Sequence, residues 1–257
     1  MNFTFALAQF ELFVLILIRL ASFVFAAPFF NMANVPNRVK IGFSFCLTIM
    51  VYSLFPDMSV EYNGMIEYAI IVVEEIIVGI LLGAVSSFCV QIIMFAGKII
   101  DMDIGISMAQ LYDPTTRMQV GIMGNFYYYM MMLLLIISGM HQYLVSAIVE
   151  TYRVIPIGGV KFGVGIYTGI IGFVSDFFVI GFRIALPVFA AILMLNCVLA
   201  ILAKVSPQMN MFVVGMQLKI FVGIFVILFT ISMLPSVSNF ILDEIEKMFA
   251  ILVRGMS

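Results

Sequence analysis

Residues 118–149 read MQVGIMGNFYYYMMMLLLIISGMHQYLVSAIV, without one Asp, Glu, Lys or Arg. A helix of about 20 consecutive apolar residues crosses the hydrocarbon core of a bilayer, so this stretch is long enough to do so with residues to spare. The property recurs outward in both directions: residues 20–37, 41–56, 76–97, 184–203 and 220–242 are also free of charge. Several of these runs are long enough to cross, while 41–56 is short. With polar-tolerant flanks added, the pattern predicts helices at about 3–27, 39–55, 66–100, 120–150, 166–202, 211–234 and 238–254. The fold class is an all-α membrane protein of six to seven hydrophobic helices, arranged as kinked helical hairpins.

Composition agrees. Of 257 residues, 64% are hydrophobic and 10% charged, whereas a soluble domain is roughly a quarter charged because water must wet its surface. The net charge is −2 and no Lys/Arg run occurs, so there is no phosphate-tracking surface and nucleic acid is not an expected partner. Trp is absent, with 26 Phe, 21 Met and 10 Tyr, so Tyr must supply any aromatic belt. Cys46, Cys89 and Cys197 each stand alone in an apolar run and read as packing residues. Residues 1–27 read as a retained segment, since Glu11 interrupts the apolar stretch and no basic residue precedes Arg19.

The breaks fall where turn residues cluster: Pro28 to Pro36, Pro56 to Gly64, Asp113 to Arg117, Pro156 to Gly165, Ser206 to Met209 and Pro235 to Asn239. No linker is long enough to separate domains, so 1–257 reads as a single integral-membrane domain. Seven alternating crossings with an outside N-terminus would place seven Lys/Arg inside, including Arg38, Lys98 and Lys204, against Arg153 and Lys161 outside, which favours a cytoplasmic C-terminus. The predicted helices 66–100 and 166–202 exceed what a bilayer needs, and Pro187 is placed to kink the second. The last helix is amphipathic, with Ile241, Ile245, Met248, Phe249 and Leu252 on one side and Asp243, Glu244, Glu246 and Lys247 on the other, a pattern compatible with lying along an interface.

Enzyme signatures are missing. His141 is the only histidine, and there is no HExxH, GxSxG, Walker A or GxGxxG pattern. A lone histidine at a helix end is commonly a capping or interfacial residue; a hydrolase built around His141 is the weakest of the alternatives. No cofactor or metal is expected.

Charges within apolar segments are costly and functional by default. Glu11 and Arg19 share the first helix, Glu74 and Glu75 precede the charge-free run of the third, Asp176 and Arg183 lie seven residues apart on nearly one helix face, and Lys219 follows the 206–215 turn region. They read either as an ion or proton relay, hence a secondary transporter of ions or small solutes using Glu74, Glu75, Asp176 and Arg183, or as ion pairs within the molecule or with neighbouring subunits. Glu74 and Glu75, with no evident local partner, are the best argument for the transporter.

Two stripes of small residues, Gly79, Gly83, Ser87 and Gly165, Gly169, Gly172, indicate close helix association, within the chain or with another. Between the third and fourth predicted helices runs a mixed segment, Asp101, Met102, Asp103, Ile104, Gly105, Ile106, Ser107, Met108, Ala109, Gln110, Leu111, Tyr112, Asp113, Pro114. Irregular backbone at membrane depth is tolerated where protein buries it or where it lines a cavity, so this is either a plug or gate, or a solvent loop.

An ordered set of motifs carries a resemblance. Arg19, Ala27-Pro28-Phe29-Phe30, Val35-Pro36-Asn37-Arg38-Val39-Lys40, Gly105-Ile106-Ser107-Met108 through Asp113-Pro114, Ile155-Pro156-Ile157-Gly158, and above all Ser206-Pro207-Gln208-Met209-Asn210-Met211-Phe212-Val213-Val214-Gly215 with Leu218-Lys219 together resemble the FliR family of flagellar biosynthetic proteins, related to the SctT component of injectisomes. The similarity spans almost the whole chain, and the form of residues 212–219 resembles the flagellar branch.

The resemblance implies a non-enzymatic, channel-forming subunit integrated in a larger helical export-gate assembly with FliP, FliQ and FlhB in the bacterial cytoplasmic membrane. Unfolded flagellar proteins would pass through it. It implies that the central loop, Gly105 to Pro114, helps close the pore, with Met108 and Leu111 as plugging side chains. Aromatic residues are common there in the family, so this sequence departs from the pattern. The turn Pro207, Gln208, Met209, Asn210 is expected to satisfy backbone groups at the break or to contact a partner.

Overall fold

The computed structural model describes residues 3–32, 34–56, 58, 60, 62–106, 121–208 and 210–257. Among the described residues the protein is all helix. In chain order the elements are α1 Phe3–Ala26, α2 Asn37–Leu54, α3 Met65–Ile104, α4 Ile122–Ile137, α5 Met140–Val154, α6 Val164–Val205, α7 Met211–Thr230, a 3₁₀ turn Ile231–Met233 and α8 Leu234–Met256.

Local chemistry sets most of the boundaries. Helix α2 starts after Pro36, which is extended at φ −60° and ψ 141°, and stops short of Pro56, because a residue preceding proline is pushed out of the helical region. Helix α3 runs for 40 residues and ends at Gly105, whose φ of 88° is a left-handed conformation that closes a helix at little cost only in glycine.

The single helix expected over 120–150 is instead two, α4 and α5. Gly139 has φ 78° and turns the chain between them, a break that hydropathy cannot register inside an unbroken apolar run. The last break also lies earlier than expected, at Ile231–Met233. Pro235 sits in the first turn of α8, where its missing N–H would have had no intrahelical partner. Helix α6 continues through Pro187.

Among the described residues, four segments suit a membrane crossing by length and composition: Ala8–Ala26, Met65–Ile104, Gly165–Val205 and Met211–Met256. The α4 and α5 pair makes a fifth if read as one broken span. The seven alternating crossings are corrected to four or five candidates among the described residues, and the charge-bias argument built on them loses its basis. Helix α2, with Arg38 and Lys40 in its first turn, is too polar to count, and α8 qualifies only as the continuation of α7.

The chain divides into two compact units. The first comprises residues 1–89, 138–173 and 242–257, the second residues 90–137 and 174–241. In the first, Leu15, Ile16, Leu20 and Phe23 of α1 are buried, as are Val78 and Leu82 of α3, Leu144 and Ile148 of α5, and Ile245 and Leu252 of α8. The apolar face of α8 is therefore covered by protein here, and Phe249 meets Phe23 and Tyr143 edge-on at 6.3 and 6.4 Å between centroids. Glu244, placed on the polar side by periodicity, is buried and held by Lys247 at 3.2 Å.

In the second unit Ile92, Ile93, Ile100, Ile104, Met131 and Leu135 are buried. Phe95 gathers Phe177, Phe178 and Phe182 within 5.4 to 5.8 Å. Phe178, Phe182, Leu193, Met194, Phe221 and Phe225 are exposed, so much of α6 and α7 is apolar surface that lipid or protein must cover.

Candidate functional site

Arg19 of α1 is fully buried and faces Glu75 of α3, also fully buried. The guanidinium engages the carboxylate in a two-pronged pairing: Nε donates to Oε2, and Nη2 donates to Oε1 at 2.9 Å. Nη1 donates to the Ile155 carbonyl at 3.1 Å, the Gly158 N–H donates to Glu75 Oε1 at 3.4 Å, and the Tyr152 ring lies under the guanidinium at 4.4 Å. Arginine's planar fork suits this combination of bidentate pairing and ring stacking. A buried charge pair survives desolvation only when its polar atoms are also satisfied, and here each guanidinium nitrogen and both carboxylate oxygens have a partner.

Close backbone approach makes this possible. Glu75, Gly79 and Gly83 are spaced four residues apart, hence on one face of α3. A Cβ added at Gly79 would lie 2.4 Å from the Arg19 carbonyl oxygen, and one at Gly83 would lie 2.8 Å from that of Phe23. The first small-residue stripe thus packs on α1 of the same chain, and its register extends to Glu75. That register is the signal that links Glu75 to α1. Ser87, the third member, is half-buried. The idea that Glu75 lacks a partner is corrected, and with it the strongest argument for the transporter.

The other charges do not collect around this pair. Glu11 accepts a hydrogen bond from the Tyr62 hydroxyl at 2.5 Å beside a cavity of about 190 Å³ lined also by Tyr52 and Tyr68. This contact holds the Tyr62 phenol above its usual value. Glu74 is half-buried and has no ion-pair partner among the described residues. Asp176 is half-buried and Arg183 exposed, both in the second unit. Arg183 borders an apolar cavity of about 300 Å³ with Tyr127, Pro187 and Thr230.

The second stripe behaves unlike the first. Gly169 packs on Ile251, 2.6 Å from an added Cβ, whereas Gly165 and Gly172 have nothing within 4 Å. His141 is near the start of α5, with a buried Nδ1 that has no partner among the described residues.

The base of the central segment is built in the second unit. Of the ten residues Gly105 to Pro114, Gly105 and Ile106 are described; Ser107 to Pro114, including Met108 and Leu111, lie outside the described residues. At the start of α4 the N-cap position is Gly121, which has no side chain to offer. Asp101, near the end of α3, supplies the acceptors instead: Oδ1 takes the Met123 N–H at 3.0 Å and Oδ2 the Gly124 N–H at 3.2 Å. These are the two N–H groups that a capping side chain ordinarily serves. Two glycines allow it, because an added Cβ at Gly97 would lie 2.4 Å from the Gly124 Cα. Spacing does not single out Gly97, Gly121 or Gly124; the signal for the last two is a GxxG beginning immediately before a helix.

Beside Gly105 is a cavity of about 260 Å³, lined also by Ile104, Asn196, Phe212 and Lys219. Lys219 is half-buried. In the turn before α7, Pro207 and Gln208 are exposed, Asn210 Oδ1 accepts the Phe212 N–H at 3.2 Å and caps the helix, and Met209 lies outside the described residues.

The model of the family described as bacterial export proteins, family 1, matches residues 10–245. The chain belongs to that family. The match covers Glu11, the Arg19 and Glu75 pair, the central segment and Lys219. The chain is 27% identical over 241 residues to the flagellar biosynthetic protein FliR of Escherichia coli (strain K12), covering 93% of this chain and 92% of that protein. It is 29% identical over 235 residues to FliR of Bacillus subtilis (strain 168), covering 88% of each. Similarity to FliR of Aquifex aeolicus (strain VF5) is 24% over 237 residues, covering 92% of each.

Proposed function

We propose that this chain is a channel-forming, non-enzymatic subunit of the flagellar type III protein export gate, acting as one integral-membrane domain in the bacterial cytoplasmic membrane. Its partners are FliP, FliQ and FlhB, and its cargo is unfolded flagellar protein. Membership of an export family along nearly the whole chain, with FliR proteins as full-length relatives, carries this reading. The all-helical membrane fold supports it, as do the open glycines Gly165 and Gly172, which leave room for a partner helix.

The central loop, Gly105 to Pro114, serves as the closing element. An apolar constriction blocks ions by dewetting yet needs no fixed charge barrier, and methionine repacks around varied chain segments. Met108 and Leu111 are the side chains assigned to that seal. Loop closure at the base by Asp101 suits an element that must project from a fixed mount. The transporter reading retains Glu74, Asp176 and Arg183 but no longer Glu75, whose charge is committed to Arg19.

Purification in mild detergent tests the assignment. The gate subunit is expected to co-purify with tightly held membrane partners and to be unstable without them. A stable, stoichiometric monomer with no such partners would overturn it.

A further inference from the structure

We propose that Asp101 is the positioning residue of the central loop: its carboxylate ties the end of α3 to the start of α4 and so fixes both anchor points of the segment between them. The proposal rests on the reading of that loop as the closing element. Asp101 is 3% exposed, and it caps a helix that begins 21 residues further along the chain. A helix start needs an acceptor for its first N–H groups, and a serine, threonine, asparagine or aspartate at the N-cap ordinarily provides it. Gly121 cannot, so α4 depends on a residue across the loop. The same interaction that completes the helix therefore closes the loop.

The geometry around the clamp leaves little slack. A Cβ at Gly121 would lie 2.3 Å from Asp101 Oδ2, and one at Gly97 would overlap the Gly124 backbone. A carboxylate also suits the positive end of α4 better than a neutral acceptor, and its two oxygens serve two adjacent N–H groups at once. Releasing them frees one end of the loop without altering any residue of the loop itself.

The test uses the assembled complex of this chain with its co-expressed membrane partners, reconstituted in planar bilayers, with resting ion conductance as the readout. Four forms are compared: wild type, a deletion of residues 106–112, Asp101→Asn and Gly121→Ala. Asp101→Asn keeps one acceptor oxygen and the shape of the side chain, while Gly121→Ala drives a methyl onto the carboxylate with Asp101 intact. Both are expected to raise the resting conductance about fivefold, the equilibrium change that follows the loss of one of the two hydrogen bonds, at normal subunit stoichiometry and with cargo export retained. The deletion is expected to leak more than either.

A leaking deletion with both point variants as tight as wild type overturns the clamp and leaves the gate reading standing. A deletion that does not leak overturns the gate reading and the clamp with it. If neither point variant assembles, Asp101 is a folding residue and the positioning role is overturned.

Discussion

The Tyr152 ring supports the Arg19 guanidinium at 4.4 Å while the Tyr152 hydroxyl donates back to the Ile16 carbonyl at 3.2 Å. Helix α1 thus provides the charge and also fixes the ring beneath it, and Glu75 completes the arrangement from α3. A buried carboxylate held this way is a structural fastener, and its charge is not available to carry an ion.

Removing one partner should therefore cost stability. Arg19→Ala or Glu75→Ala strands a buried charge and is expected to lower stability by about 3–5 kcal/mol. Tyr152→Phe keeps the ring, loses one hydrogen bond and should cost about 1 kcal/mol. Thermal unfolding in detergent measures both. Loss of solute flux in liposomes by a fully stable Glu75→Gln protein would contradict the fastener and revive the transporter.

The two glycine stripes should respond differently to added methyl groups. At Gly79 a Cβ would lie 2.0 Å from Ser22 Oγ and 2.4 Å from the Arg19 carbonyl, and backbone cannot yield as a flexible side-chain tip can. Gly79→Ala is expected to destabilise the chain by about 1–3 kcal/mol. Gly165→Ala and Gly172→Ala meet open space and should leave its stability unchanged or slightly raised, because alanine favours helix by up to about 1 kcal/mol. Co-purification yields of the same two variants test whether a partner helix occupies that face.

Tyr62 offers a titration outside the apolar spans. Its hydrogen bond to Glu11, with some burial and the carboxylate charge behind it, holds the phenol above its ordinary value. The neutral phenol is the form favoured on folding, so its contribution is fully present below the unfolded phenol pKa and is lost as pH rises through the folded one. An ultraviolet difference titration between wild type and Tyr62→Phe should show one phenol ionising later than a free tyrosine. A Tyr62 that ionises at the ordinary value would contradict the contact.

Hydropathy made the long helices legible, since charge-free runs such as 76–97 and 184–203 have few other uses. It missed the division of 118–149 into α4 and α5, because a single left-handed residue, Gly139, turns the chain without changing its polarity. The pairing of Arg19 with Glu75 spans 56 residues, and only the shared register of Glu75, Gly79 and Gly83 hinted at it. The clamp on α4 was hidden for a similar reason: its acceptor lies on the far side of a loop, and its partners are backbone N–H groups, which every sequence contains. In the last helix periodicity identified the buried face, but Glu244, three residues after Ile241 and four before Met248, lies on that face and pairs there with Lys247.

On the function proposed above, the central loop closes an export channel at rest. The most direct measurement is the resting conductance of the complete membrane complex in planar bilayers, with and without residues 106–112. The wild-type complex should be ion-tight and the deleted one should leak steadily at unchanged subunit stoichiometry. Equal, negligible conductance in both would contradict it.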